Sequence, residues 1–374
     1  MKILIMTALF ASTVLAAPRE PEFVDVFVAG KNGFPAVRIP SIVVTKSGAL
    51  LAFAEGRQNL GDQAENKIIE RRSVDGGKTW SETSVLADDG KRPLNNPCAV
   101  VDERSGRVLL MFQSYPERLK EASGQIKTGY EGDDIVKSYL MQSDDEGARW
   151  SAMREVTRQV KRPEKVTTIA SGPGIGVQLQ SGRLLMPFNE GPFGKWNIYA
   201  AYSDDGGKTW QRGDIVSDVL IPNEKGGTVS TVNECQLVEL SDGSVRFNAR
   251  RWGGKAVRKT SLSRDGGQTW SPVEDAPDLV DPGCMASILR VPAAAPGQLL
   301  YSGPRSTKRE NGTIYLSADD GKTWPLKKTL FAGSFAYSVL CALPDGTFGC
   351  LFEADNASRI VFARFSLDWL REPV

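Results

Sequence analysis

An eight-residue phrase, Ser-x-Asp-x-Gly-x-Thr-Trp, occurs five times along this chain and limits its fold more than any other feature. The copies run Ser73 to Trp80, Ser143 to Trp150 (with Arg149 at the Thr position), Ser203 to Trp210, Ser263 to Trp270 and Ser317 to Trp324. Their starts lie 70, 60, 60 and 54 residues apart, too long for a helix-pair repeat and suited to four short strands with their turns. A weaker repeat counts the sheets. Ser47-Gly48, Ser105-Gly106, Ser181-Gly182, Asp242-Gly243, Pro296-Gly297 and Asp345-Gly346 each sit between apolar runs, as two-residue hairpin turns do when Gly supplies a positive φ. These six hairpins predict an all-β fold, a six-bladed β-propeller with four-stranded antiparallel blades. The first five hairpins are each followed by one octapeptide and the sixth is not. The segment FVDVFVAG near the N-terminus is expected to close the ring beside IVFARFSL, removing the exposed sheet edge.

The octapeptide is acidic and Gly-rich, yet its residue types serve a turn. Ser and Asp side chains bond the backbone of a tight loop, Gly takes conformations other residues avoid, and Trp packs the loop onto its sheet. Asp75, Asp145, Asp205, Asp265 and Asp319 are therefore assigned to folding. The phrase also lacks the alternating ligands and distal Glu of a calcium loop.

One ring of six blades uses nearly all of the 374 residues, so residues 17–374 are expected to form a single domain. Residues 1–16 carry Lys2, a short apolar run, and Val14 and Ala16 at the positions read by signal peptidase. They predict a signal peptide and a secreted or periplasmic protein, the run being too short for a membrane span. Lys and Arg total 46 against 45 Asp and Glu, a balance that supports neither a nucleic-acid nor a membrane-surface partner. The mature chain is expected to act as a monomer without membrane insertion. The five cysteines show no metal-type spacing. A two-residue turn at Asp345-Gly346 sets Cys341 opposite Cys350, either as a disulfide or as two small buried thiols. There is no histidine. Ser-His-Asp and Cys-His nucleophile systems and His-based zinc sites are thereby excluded, leaving carboxylates, Tyr, Lys and Arg for any chemistry.

In a hairpin, the start of the first strand and the end of the second meet opposite the turn. This brings Arg38 toward Arg57, Glu234 toward Arg250 and Tyr337 toward Glu353 at one mouth of the ring, with Asn189 and the Arg305/Arg309 pair at corresponding strand ends. Asp62, in the loop leaving Arg57, overhangs the same opening. Singly, each Arg reads as a surface group and each Tyr as packing. Together they concentrate positive charge in a neutral protein, and Arg forks suit a carboxylate or phosphate.

The segments VRIPSIV, AEGRQNLGDQAENKIIERRS, NECQLVEL with FNAR, TKRENGT, and AYSVL with LFEAD follow in order over the whole chain. With the five octapeptides, which that family calls Asp boxes, they resemble the sialidase (neuraminidase) family of glycoside hydrolases. Val37 stands where the family usually has Phe. The resemblance implies an exo-α-sialidase acting on sialylated glycans without cofactor or metal. It implies that Arg38, Arg250 and Arg309 hold the sialic-acid carboxylate, Arg309 being chosen over Arg305 by its spacing to the fifth octapeptide. It further implies that Glu353 orients Arg38, that Arg57 lies near the sugar 4-hydroxyl, that Asp62 is the acid/base, and that Tyr337 is the nucleophile activated by Glu234.

The residue types fit that chemistry. Sialic acid bears a carboxylate on its anomeric carbon, which repels an attacking Asp or Glu, whereas a phenol arrives neutral. Its ordinary pKa of about 10 requires a base, the role of Glu234, and the Arg triad favours the phenolate. Asp62 then protonates the leaving oxygen and later deprotonates water, which retains configuration. Two other readings use the same cup: a non-catalytic sialic-acid-binding propeller, and a transferase passing sialic acid to another sugar or to its own 7-hydroxyl. Linkage preference belongs to the rim loops Leu119 to Asp134 and Gly191 to Trp196, and Phe112, Phe188 and Trp196 are candidates for the N-acyl pocket, with core packing their default reading.

Overall fold

In the computed structural model, which describes residues 20–292 and 296–373, six mainly antiparallel blades follow one another around a ring, the fifth and sixth joined into one seven-stranded sheet by the shared strand Leu326–Ala342. The signal-peptide segment expected over residues 1–16 lies outside the described residues. Blade one shows the plan, with strands Ala36–Val44, Leu50–Arg57, Lys67–Ser73 and Ser84–Ala87 paired in chain order. Both faces of the inner strands are buried, so Leu50–Ala54 reads as an apolar run and no residue of Leu50–Arg57 is exposed. Among the described residues the core divides into six apolar clusters lying between and within neighbouring sheets. One contains Val37, Ile42, Val339 and Phe362, from blades one and six.

Ring closure follows the expectation. Glu22–Val28 pairs antiparallel with Arg359–Phe365 and supplies the outer strand of blade six. That strand comes from the other end of the chain, so blade six has no turn between its third and fourth strands in which to place an octapeptide. In blade one the octapeptide begins at Ser73, the last residue of the third strand. Ser73 Oγ donates to Asp75 Oδ1 at 2.8 Å and accepts the Gly77 amide at 3.0 Å, while Asp75 accepts the Thr79 amide at 3.0 Å. Burial opposes ionisation of Asp75, but the bonds from Thr79 and Ser73 outweigh it and hold the carboxyl at about 2. Trp80 packs edge-on against Phe362 of blade six. The Asp-box carboxylates are consumed by their own turns.

One register differs from the sequence expectation. Leu343 N–H bonds the Thr347 carbonyl, so the hairpin loop is three residues long, with Gly346 at φ 82°. Cys341 consequently faces Gly349, and Cys350 faces Leu340. A one-residue slip sends neighbouring side chains to opposite faces. Cys341 joins the cluster toward blade one and Cys350 the cluster toward blade five, and both are free, buried thiols.

Strand direction separates scaffold from site. First and third strands run away from one mouth of the ring, so the Asp boxes at the ends of third strands sit on the far side. The starts of first strands, the ends of second strands and the loops after them line the near mouth.

Candidate active site

At that mouth the inner strands are bulged. Register breaks fall between Arg38 and Ser41, between Val232 and Cys235, and between Phe335 and Ser338. A bulge re-aims side chains out of the regular alternation, and here it turns Arg38, Glu234 and Tyr337 toward the axis. Ile39 takes φ 60°, an unusual region for a β-branched residue. Its amide donates to Glu353 Oε1 at 2.9 Å, which helps fix that conformation.

The strand ends enclose a cup of about 290 Å³ whose lining includes Arg38, Arg57, Asp62, Arg250, Arg309 and Tyr337. Tyr337 Oη donates to Glu234, 2.5 Å from Oε1 and 2.7 Å from Oε2. Arg250 Nη1 donates to Glu234 Oε2 at 2.7 Å and to Tyr337 Oη at 2.9 Å. The Arg38 and Arg309 guanidiniums lie 5.0 Å and 5.3 Å from the Tyr337 ring centroid. Three cationic groups from blades one, four and five thus surround one phenol. Burial is the largest influence on that phenol and, with Glu234, outweighs the pull of Arg250, Arg309 and Arg38. The Arg triad favours the phenolate, as expected, but burial prevails and the pKa is raised, so the resting cup holds a neutral Tyr337.

Glu353 stands behind Arg38, accepting its Nε and Nη2 at 3.0 Å each. Arg57 donates its Nη1 to Asp62 Oδ1 at 3.0 Å and is clamped from behind by Glu55, 2.6 Å from Nη2. Asp62 itself is open to solvent, its side chain 65 % exposed. All eight residues singled out in the sequence therefore converge, seven of them touching the cup or its solvent edge and Glu353 supporting it. Arg309 enters the cup, whereas Arg305 is exposed outside it. Of the N-acyl candidates, Phe112 and Phe188 are wholly buried in core clusters, their strand positions facing neighbouring sheets. Trp196 does line the cup.

Sequence reading missed two carboxylates. Glu55 lies two residues before Arg57, and its Oε1 accepts the Asn96 amide at 2.7 Å. Burial outweighs Arg57 and raises its carboxyl. The strand motif containing Arg57 was the available signal. Glu121 is delivered by the long connection between Arg107–Ser114 and Lys137–Ser143 and lines the cup near Tyr115. Nothing local in the sequence marks it. Burial, with Asp62 and Glu234 adding to it, pushes the Glu121 carboxyl up to about 7. Phe193, Trp196 and Trp252 form mutual edge-to-face contacts on the same wall, with ring centroids 5.6–6.0 Å apart.

The arrangement offers an anion seat made of guanidiniums, a phenol already bonded to a carboxylate base, and a separate exposed carboxylate. Comparison with known proteins points the same way. Residues 48–350 match the BNR repeat-like domain. A sialidase of Micromonospora viridifaciens is 36 % identical over 363 residues, covering 92 % of this chain and 54 % of that protein. A sialidase of Bacteroides fragilis is 29 % identical over 352 residues, 88 % of this chain and 62 % of its own length. The chain thus spans little more than half of these two relatives. The solved structure of a Hadza microbial sialidase, Hz136, superposes with a TM-score of 0.80 at 29 % identity, covering 91 % of this chain and 67 % of that one. With the family's domain matched over most of its length, the chain belongs to the BNR repeat-like sialidase family of β-propellers.

Proposed function

We propose that this protein is a retaining exo-α-sialidase that removes terminal α-linked sialic acids through a covalent sialyl-tyrosine intermediate, after export directed by residues 1–16. The observation that carries the reading is the bonded trio Tyr337, Glu234 and Arg250 beside Arg38 and Arg309. The three guanidiniums receive the substrate carboxylate, which sets the anomeric carbon over Tyr337. Tyr337 Oη then bonds to that carbon while its proton passes to Glu234, and the glycosidic bond breaks with Asp62 protonating the departing oxygen. In the second half-reaction Asp62 takes a proton from water, the resulting oxygen attacks the anomeric carbon, and Tyr337 leaves with the proton returned by Glu234. A bound sugar covers Asp62, which is otherwise open to solvent.

The purified protein, expected to begin at Ala17 after export, should release free α-sialic acid as first product from 3′-sialyllactose. NMR of the anomeric signals checks this. A new sialoside or an anhydro sugar would assign it to transfer, and no product between pH 4 and 8 would leave only a binding propeller.

Glu121 gives a pH prediction. With its carboxyl near 7, it is neutral below that pH and adds a negative charge to the cup above it. An anionic substrate is then repelled, by about 1 kcal/mol for two unit charges near contact in a water-like medium. The value of kcat/KM should fall about fivefold through pH 7, and Glu121→Gln should abolish that limb. An unchanged limb in the variant assigns the titration to another group.

A further inference from the structure

Arg250 and Arg309 are supported by a part of blade four that lies outside the cup. Arg258, in the third strand Val257–Ser263, and Asp281, just after the fourth strand Glu274–Val280, are each 1 % exposed and form an ion pair at 3.0 Å. A buried ion pair commonly returns less than its desolvation removes, so stability alone is a weak reason for it. Its hydrogen bonds suggest another. Asp281 Oδ1 accepts the amides of Gly283 at 2.8 Å and Cys284 at 2.9 Å, and Oδ2 accepts the Arg251 amide at 2.7 Å. With Arg258 these make four donors for the four acceptor positions of one carboxylate. Arg258 closes the other side, Nε reaching Asn248 Oδ1 at 2.6 Å and Nη1 the Cys284 carbonyl at 2.6 Å. The turn from Asp281 to Cys284 is therefore tied through two amides and a carbonyl.

Both guanidiniums of the cup wall depend on that turn. The Gly283 carbonyl accepts Arg309 Nη2 at 2.9 Å. Gly283 holds φ 74°, and a methyl group on it would sit 4.0 Å from Arg250 Nε and Nη2. The Arg251 amide bond to Asp281 anchors the strand end that carries Arg250.

We propose that the Asp281–Arg258 pair is a positioning device that fixes the separation of Arg250 and Arg309 for a planar carboxylate. The proposal rests on the reading that these guanidiniums seat the sialic-acid carboxylate. Neither member of the pair touches substrate, and both act through the Gly283 turn.

Asp281→Asn keeps the side chain's shape but sets an NH₂ group against an N–H donor. With a fluorogenic sialoside, KM should rise about tenfold or more. The effect should be non-additive with Arg309→Ala: the double variant should lose kcat/KM by a factor at least about fivefold smaller than the product of the single losses. A wild-type KM, or losses that multiply within about twofold, overturns the proposal, since a merely structural lesion is independent of Arg309. Should Asp281→Asn fail to fold, Gly283→Ala changes only the turn's backbone preference and goes through the same cycle with the same two outcomes. Failure of the wild-type protein to turn over the sialoside refutes the functional reading instead, which keeps the two failures apart.

Discussion

Tyr337→Phe lowers kcat on an aryl sialoside by about 10³-fold or more, because it deletes the atom that bonds to the anomeric carbon and little else. The ring is buried beneath Arg38 and Arg309, and Phe preserves that packing. The phenol is neutral in the resting cup, so net charge does not change. Glu234 keeps its 2.7 Å bond to Arg250 and is not left as an unpaired buried carboxylate. The cost in stability is that of a buried hydroxyl's hydrogen bonds to charged partners, about 1.5–3 kcal/mol. KM should stay within about threefold of wild type, since the guanidiniums that seat the carboxylate remain. Steady-state kinetics beside a thermal melt separates these effects. A variant that keeps near-wild-type kcat removes Tyr337 from the nucleophile's role and with it the sialyl-tyrosine intermediate.

The architecture was legible because it is written locally. Each octapeptide closes its own turn through Ser and Asp, as Ser73 and Asp75 do, so five copies announce five similar sheets. Hairpin geometry likewise brought Arg38 to Arg57, Glu234 to Arg250 and Tyr337 to Glu353. What sequence could not supply was anything set by a one-residue change of register or by the path of a long loop. The extra residue in the Pro344–Gly346 loop moved Cys341 and Cys350 onto opposite faces. The bulges beside Arg38, Glu234 and Tyr337 leave no motif in the sequence. Glu121 arrives on a loop whose course depends on tertiary packing. Phe112 and Phe188 take the core packing that was their default reading, since strand alternation says which residues share a face and not whether that face meets the cup or the next blade.

Glu353→Gln destabilises the fold by about 3 kcal/mol at neutral pH, the low end of the range for removing one partner of a buried pair, because Arg38 keeps one edge in solvent. The carboxylate accepts two parallel bonds from Arg38 and a third from the Ile39 amide, and an amide side chain cannot accept all three. Ile39 then loses a partner that helps hold it at φ 60°. The deficit depends on pH in a defined direction. Burial works to raise the Glu353 carboxyl, but the charge and bonds of Arg38 and the Ile39 amide prevail and leave it below its ordinary value. An unfolded Glu titrates near 4.3, so the pair's contribution is fully present above that pH. It is lost as pH falls through the lower, folded value, where both states bind the proton. Denaturant unfolding of wild type and variant should thus differ most at pH 7 and converge in acid, the gap beginning to close below about pH 4. A gap independent of pH would mean that Glu353 acts through shape alone. Its bidentate bond to Arg38 would then be incidental to how the cup is held.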